Sequence, residues 1–217
     1  MLTRLRAAIA TRGDYDFSRE WKPKLGQITK EQLNKDYSVG RKKFQIQLFD
    51  GYFKLCYEDK DSPRKARLVH IVGDGIIVCG ACTLEPYPGT ISGFKAHNVG
   101  QILVHKDYRR KKLGKAFYQI IAHEVGPITG DVSQSDGARQ NWCRLSQIGS
   151  VHIFSTETDK IIKNGKNVKL TDPLDPRVWQ YEDDDDNLFD MNAQDVALYR
   201  RLLLTEIKNF DGISIII

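Results

Sequence analysis

Apolar and polar positions alternate along an early stretch of the chain. Phe44, Ile46 and Leu48 are separated by polar residues, Asp50-Gly51 follows, and Tyr52, Lys54 and Cys56 begin a return. Period-two alternation on both sides of an Asp-Gly pair predicts a β-hairpin. A second hairpin is predicted from Arg67–Val72, the turn Gly73-Asp-Gly75 and Ile76–Leu84. Its return strand is apolar at consecutive positions, the pattern of a central strand covered on both faces. Pro86, Pro88 and Gly89 break the chain before another strand over Val99–Val104.

The period then lengthens. Leu113, Ala116, Phe117, Ile120 and Ile121 predict a helix over Lys112–Glu124, and Pro127–Ser133 reads as a short strand. Ala138, Trp142 and Leu145 predict a second helix over Asp136–Ile148, with further strands at Val151–Thr156 and Ile161-Ile162 and an Asn164-Gly165 turn into Val168 and Leu170. Antiparallel hairpins around one βαβα unit predict a mixed α/β (α+β) fold with a central, mostly antiparallel sheet and flanking helices.

Three regions follow: a polar N-terminal extension (1–42), a core (43–170), and an acidic linker with a C-terminal helix and apolar tail (171–217). Leu2, Leu5 and Ile9 fit an N-terminal helix or arm. The run Asp183–Asp186 reads as an acidic loop rather than a metal site, since adjacent carboxylates repel and no spaced ligands follow. The helix is expected over Met191–Glu206, capped by Asn192. The tail Ile213–Ile217 is too apolar to lie free, and is expected to add a strand or to bury against a partner, such as a second copy of the chain.

The richest chemistry lies at the start of the first core helix. Lys106, Arg109, Arg110, Lys111, Lys112 and Lys115 crowd a turn opposed only by Asp107. A helix N-terminus already favours an anion, through unpartnered amides and the macrodipole. Cations there sit at the unfavourable end of that dipole, which argues for a bound phosphate rather than a merely solvated face.

Composition limits the alternatives. With 41% hydrophobic and 10% aromatic residues in 217, the chain can fill a core. A net charge of +5 suits a polyanion, but 33 basic against 28 acidic residues does not by itself imply nucleic acid. No apolar run approaches the roughly 18 residues that span a bilayer, so a cytoplasmic protein without membrane contact is expected. Cys79-Gly-Ala-Cys82 has metal-knuckle spacing, but in a strand residues three apart face opposite ways, and no second pair completes a ligand set. Buried reduced cysteines and no metal are expected.

The segment Arg109-Arg110-Lys111-Lys112-Leu113-Gly114, preceded by Ile102 and Val104, resembles the acyl-CoA signature of the GNAT acyltransferase superfamily, a strand followed by Q/R-x-x-G-x-G/A at a helix start. Ser135-x-x-Ala138-x-x-Asn141-Trp142 resembles a second family segment, and the two span residues 97–150. The resemblance implies acetyl-CoA or another acyl-CoA as co-substrate. It places pyrophosphate on the amides of Lys111 to Lys115, with Arg109, Arg110, Leu113 and Gly114 at the same turn. The pantetheine arm falls along Ile102, Leu103 and Val104, a strand amide near Leu103 becomes the oxyanion donor, and Asn141 completes the binding set. It implies acyl transfer to an amine, carried by a small molecule or a protein.

Two departures stand out. Lys112 occupies a glycine position, tolerable if its φ is negative. Trp142 replaces a tyrosine that often protonates the departing thiolate, and indole N–H is no acid at neutral pH. Tyr118, Ser133 and Ser135 are the nearby alternatives, and the candidate bases are His97 and Asp131. The competing expectation is a silent binding module of the same fold acting on a protein partner, with nucleic acid the weaker variant.

Overall fold

The computed structural model describes residues 23–58, 64–131, 134–173, 175, 178, 200–207 and 214–215. The N-terminal arm, Ser133, Asp183–Asp186 and residues 191–199 lie outside the described residues.

Twelve strands are described: β1 (Gly26–Ile28), β2 (Tyr37–Val39), β3 (Gln45–Ile46), β4 (Tyr52–Glu58), β5 (Arg64–Val72), β6 (Gly75–Pro86), β7 (His97–Val104), β8 (Ile128–Thr129), β9 (Gly149–Ser155), β10 (Lys160–Ile161), β11 (Arg200–Ile207) and β12 (Ser214–Ile215). Three α-helices accompany them: α1 (Lys30–Asp36), α2 (Leu113–Val125) and α3 (Asp136–Ile148). Ten strands form one sheet in the order β10-β9-β11-β8-β7-β6-β5-β4-β2, with β1 added against β6. Within it the only parallel ladder among the described residues joins β7 to β8, at His97↔Ile128 and Asn98↔Thr129. The fold is therefore mixed α/β with a mostly antiparallel sheet.

The second expected hairpin forms as β5 and β6, turning at Gly73-Asp74. Of the first, the described residues keep the Phe44↔Phe53 bridge, and β3 pairs in parallel with β12. The apolar tail thus does add a strand, but to a separate two-stranded sheet. In the N-terminal stretch α1 is started by a capping box: Thr29 Oγ1 accepts from the Gln32 amide at 3.1 Å, and Gln32 Oε1 accepts from the Thr29 amide at 2.9 Å.

One expectation is overturned. Residues 200–207 are not the end of a helix; they form β11, antiparallel to β9 on one side and β8 on the other. Leu202 and Leu204 join the main core, whereas Leu203 turns to the opposite face against Ile91, Ala96 and Phe154. Three consecutive leucines are the mark of a strand covered on both faces, where alternate residues point opposite ways.

Helices α2 and α3 cover one face of the sheet. Phe117, Ile120 and Ile121 of α2, with Trp142 and Leu145 of α3, pack onto Leu68, Leu84, Val151, Ile153, Leu202 and Leu204. A smaller cluster of Leu33, Cys56, Val69, Ile76 and Val78 lies beneath α1 and β1. No helix among the described residues is long and apolar enough to cross a membrane.

Candidate functional site

Strand β7 runs on to Val104, whereas its ladder with β8 ends at Asn98↔Thr129. The two strands therefore part, and α2 and α3 wall the gap. A cavity of about 970 Å³ occupies it, lined from β7 by Val99 and Gln101 to Val104, from the following turn by Tyr108, Arg109, Arg110 and Lys112, and from the helices by Leu113, Gly114, Tyr118, Ser135, Asn141 and Arg144. Asp131 and Gln134, just after β8, also line it. This volume lies at the upper end of the range for small-molecule sites.

The cationic turn is anchored from beneath. A short 3₁₀ turn over Lys106–Tyr108 buries the Tyr108 ring, which stacks on Phe49 with centroids 5.5 Å apart. His70 Nε2–H donates to the Asp50 carbonyl at 2.6 Å, which leaves Nδ1 to accept the Tyr108 hydroxyl proton at 2.7 Å. Burial pushes the Tyr108 hydroxyl up to about 12, with Cys79 and Asp107 adding to the effect. Arg109 Nε donates to the Val104 carbonyl at 2.9 Å, tying the turn to the end of β7.

Arg110 and Lys112 adopt left-handed conformations, with φ of 62° and 57°. The negative φ expected at Lys112 is thus incorrect. Lys112 is the residue before the first turn of α2, makes no side-chain cap, and no acidic residue follows in that turn. Left-handed Lys112 is followed at once by the right-handed backbone of Leu113, an alternation that turns successive amides into a concavity suited to an anion. Two non-glycine residues held at positive φ make this a strained segment.

The other turn cations separate. Lys112 and Arg110 line the cavity, while Lys111 places Nζ 5.9 Å from the Phe49 ring centre and lies outside the lining. Lys115 is half-buried beside it, its pKa lowered by desolvation first and then by Lys112 and Arg144. Gly114 allows α3 to come close: a Cβ there would lie 2.9 Å from Asn141 Nδ2.

The strand edge carries a β-bulge. Between the pairs Ala81↔Leu103 and Thr83↔Gly100, both Gln101 and Ile102 oppose Cys82, and Gln101 has a φ of 43°. The extra residue turns the end of β7 toward the cavity, where Ile102, Leu103 and Val104 form its wall, Leu103 being 38% exposed.

Asp131 approaches β7 at Gly100. A Cβ on Gly100 would lie 2.7 Å from Thr83 Oγ1, too close to fit without a shift, and a tight 3.3 Å from Asp131 Oδ2. Behind it is Arg201 of β11, whose Nη1 donates to Asn98 Oδ1 at 3.3 Å; the same oxygen accepts the Thr129 hydroxyl at 2.5 Å. Burial draws the Arg201 pKa down, and the charges of Asp131 and Tyr87 oppose that shift. Sequence reasoning missed Arg201 because its segment read as a helix, and missed Arg144 and Gln134 because nothing local distinguishes them from surface residues.

The expected catalytic set is only partly assembled. Asp131, Ser135 and Tyr118 line the cavity. Ser135 is the N-cap of α3, its Oγ accepting from the Ala138 amide at 3.3 Å. Tyr118 is 4% exposed, and burial pushes its hydroxyl far above neutral pH, with Cys82 and Asp131 adding and the Trp142 indole N–H opposing. His97 is not brought in: it opens β7, pairs in register with Pro86 and Ile128, and lies outside the lining. Trp142 is fully buried behind Tyr118, ring centres 5.6 Å apart, and does not reach the cavity either.

The cysteine pair behaves differently from strict alternation. Cys79 is the extra residue between Val69↔Val78 and Leu68↔Gly80, and both Cys79 and Cys82 belong to the main core cluster. Burial pushes both thiols far up, and Cys79 Sγ donates to the Leu68 carbonyl at 3.2 Å. No cluster of three or more histidines, cysteines or acids suited to a metal occurs among the described residues.

Comparison of the chain with protein-family models, with curated proteins and with solved structures gives no match.

Proposed function

We propose that the protein is an acyl-CoA-dependent N-acyltransferase, with acetyl-CoA the simplest donor and an amine, on a small molecule or a protein, the acceptor. The observation that carries the reading is the cavity where β7 runs on beyond its ladder with β8, cationic where it meets the start of α2 and lined by Asp131 just after β8. A pyrophosphate needs converging amides and nearby cations, which the Lys112-Leu113 concavity, Arg109, Arg110 and Arg144 supply. The half-buried Lys115 adds charge for a further phosphate. The bulged edge of β7 offers backbone groups along a chain of amides such as pantetheine. The GNAT-like reading of residues 97–150 agrees with this arrangement.

In this reading the acceptor nitrogen attacks the thioester carbonyl, a C–N bond forms, the C–S bond breaks, and the sulfur leaves as thiolate. Asp131 takes the proton lost by the amine. The thiolate takes its proton from a hydroxyl lining the cavity, Tyr118 or Ser135, or from water, because Trp142 is sealed away. The positions of Trp142 and Arg201 favour one further reading, a module that binds an acyl-CoA without turning it over.

Isothermal titration of the purified chain with acetyl-CoA tests the binding step. Micromolar or tighter binding, abolished by combining Arg109→Ala with Gly114→Trp, is expected; absence of binding, or binding indifferent to that change, refutes the proposal. Thiol release from acetyl-CoA on adding a panel of amines then separates the two readings, since the silent module releases none.

A further inference from the structure

We infer that Lys115 of α2 and Arg144 of α3, together with Lys112, hold the 3′-phosphate of coenzyme A, so that the protein selects CoA over its dephospho form. The inference rests on the acyl-CoA reading of the cavity and deepens it, by assigning a second anion site apart from the pyrophosphate cradle.

The site is made by the approach of two helices. At Gly114 they come so close that a Cβ would lie 2.9 Å from Asn141 Nδ2. The next residue of α2 is Lys115, and three residues beyond Asn141 on α3 stands Arg144. The approach therefore brings a lysine and an arginine from separate helices into one neighbourhood, with Lys112 three residues back along α2. Lys112 and Arg144 line the cavity, and Lys115 lies near enough to both that their charges add to the effect of its own partial burial. None of the three forms an ion pair among the described residues, and the first turn of α2 carries no acid.

The balance of charge separates the two anion sites. A pyrophosphate diester carries one negative charge on each phosphorus, which Arg109 and Arg110 match within the turn. Lys112, Lys115 and Arg144 remain in excess, and the carboxylate among the lining residues, Asp131, belongs to the segment after β8. A phosphomonoester answers that excess, with a charge of about −1.5 to −2 at neutral pH and three acceptor oxygens for a guanidinium fork and two ammonium groups. In CoA the monoester sits on the ribose whose 5′-oxygen carries the pyrophosphate, so the two anions lie one sugar apart. The Lys112-Leu113 concavity and the Lys115–Arg144 pair are set apart by a comparable step, roughly one helical turn of about 5.4 Å.

The test titrates CoA and dephospho-CoA into the full chain at one fixed ionic strength. CoA is expected to bind roughly 10- to 100-fold tighter. Lys115→Gln and Arg144→Gln each shrink that ratio by weakening CoA while leaving dephospho-CoA nearly unchanged. Lys160→Gln, which removes an exposed cation on the edge strand β10, leaves the ratio intact and so separates a local contact from the attraction of the net charge. Equal affinity for the two ligands overturns this inference and leaves the acyl-CoA reading standing. A ratio undiminished in both the Lys115 and the Arg144 variant, or reduced as much by Lys160→Gln, overturns the assigned site. Failure of either ligand to bind at all, to the natural chain, overturns both readings. Because each protein is read by its own ratio, a general loss of affinity in a variant does not imitate the expected result.

Discussion

The left-handed backbone at Lys112 makes a stability prediction whose sign is set by opposing terms. Lys112 stands at the start of α2 with φ 57°, exposed, with no cap of its own and no acidic residue in the first turn. Lys112→Ala removes a cation from the positive end of the dipole, a gain of about 0.3 kcal/mol at so exposed a site. It keeps the strain, since alanine is no more at home at positive φ than lysine. Lys112→Gly removes the same charge and also relieves roughly 1–2 kcal/mol of left-handed strain, offset by about 0.4–1 kcal/mol of extra freedom in the unfolded chain. The ranking without ligand is therefore Gly above Ala above Lys, with glycine ahead of the natural residue by about 1 kcal/mol. For a chain of this size that is a rise in melting temperature of about 2–4 °C. Binding should move the other way. CoA at about 100 times its dissociation constant stabilises by about 2.7 kcal/mol, and a tenfold loss of affinity on removing one phosphate contact lowers that by about 1.3 kcal/mol. Thermal scanning of the three proteins, with and without CoA, reads both quantities. If Lys112→Gly melts no higher than Lys112→Ala, the strain argument is wrong; if all three gain equally from CoA, Lys112 does not face the anion.

Three other perturbations read different parts of the molecule. In Gly130→Ala the new Cβ would lie 2.3 Å from Gln134 Nε2 and 3.0 Å from Nε1 of the fully buried Trp142, so a loss of about 1–3 kcal/mol is expected in urea unfolding; an unchanged midpoint would show that the wall yields freely. Thr29→Ala removes the hydroxyl that caps α1 and is expected to cost about 0.5–2 kcal/mol, seen as faster amide exchange over residues 30–36 with little change in α2. His152, whose pKa burial and then Lys166 lower, has its Nδ1 accepting from the Asn167 amide at 3.2 Å and its Nε2 donating to Thr205 Oγ1 at 3.1 Å, with Phe94 stacked on the ring. The unfolded chain takes up this proton first. Stability is therefore unaffected above the reference value of 6.5, falls as pH drops from there, and levels off below the folded value, at a slope of at most about 1.4 kcal/mol per pH unit. Since His123 shifts the same way and Glu124 the opposite, the measured quantity is the difference between the natural chain and His152→Gln. A difference that does not change between pH 7 and pH 5 refutes the assignment.

The central elements were legible because their patterns are local. The β5–β6 hairpin is written in Gly73-Asp-Gly75, and α3 begins at the residue its apolar spacing implies, with Ser135 as cap. The capping box of α1 was equally visible as Thr29-x-x-Gln32, in a stretch otherwise read only as polar. β11 was not legible. Leu198, Tyr199, Leu202 and Leu203 satisfy a helical period, and the choice between helix and strand depends on two empty positions flanking β11, which only β8 and β9 reveal. The strand's sequence carries the answer in Leu202-Leu203-Leu204, but a run that short fits a buried helix as well.

The site divides along the same line, and the division bears on its chemistry. The cationic turn is a contiguous motif, so its residues could be named in order, whereas the contacts that anchor Tyr108 beneath it come from His70 of β5 and from Phe49, both distant in the chain. The Asp131 side is assembled from separate elements: Gly100 from β7, Asp131 and Gln134 after β8, Arg201 from β11. A carboxylate leaning on a glycine in front of a buried guanidinium is held in one place by charge as well as by packing. Removing the guanidinium, as in Arg201→Met, leaves Asp131 without that restraint and Asn98 Oδ1 with the Thr129 hydroxyl alone. If Asp131 accepts the amine proton, such a variant should keep CoA affinity, lose turnover and show an altered pH profile. A variant that loses only folding stability would mean that Arg201 and Asp131 serve the sheet rather than the reaction.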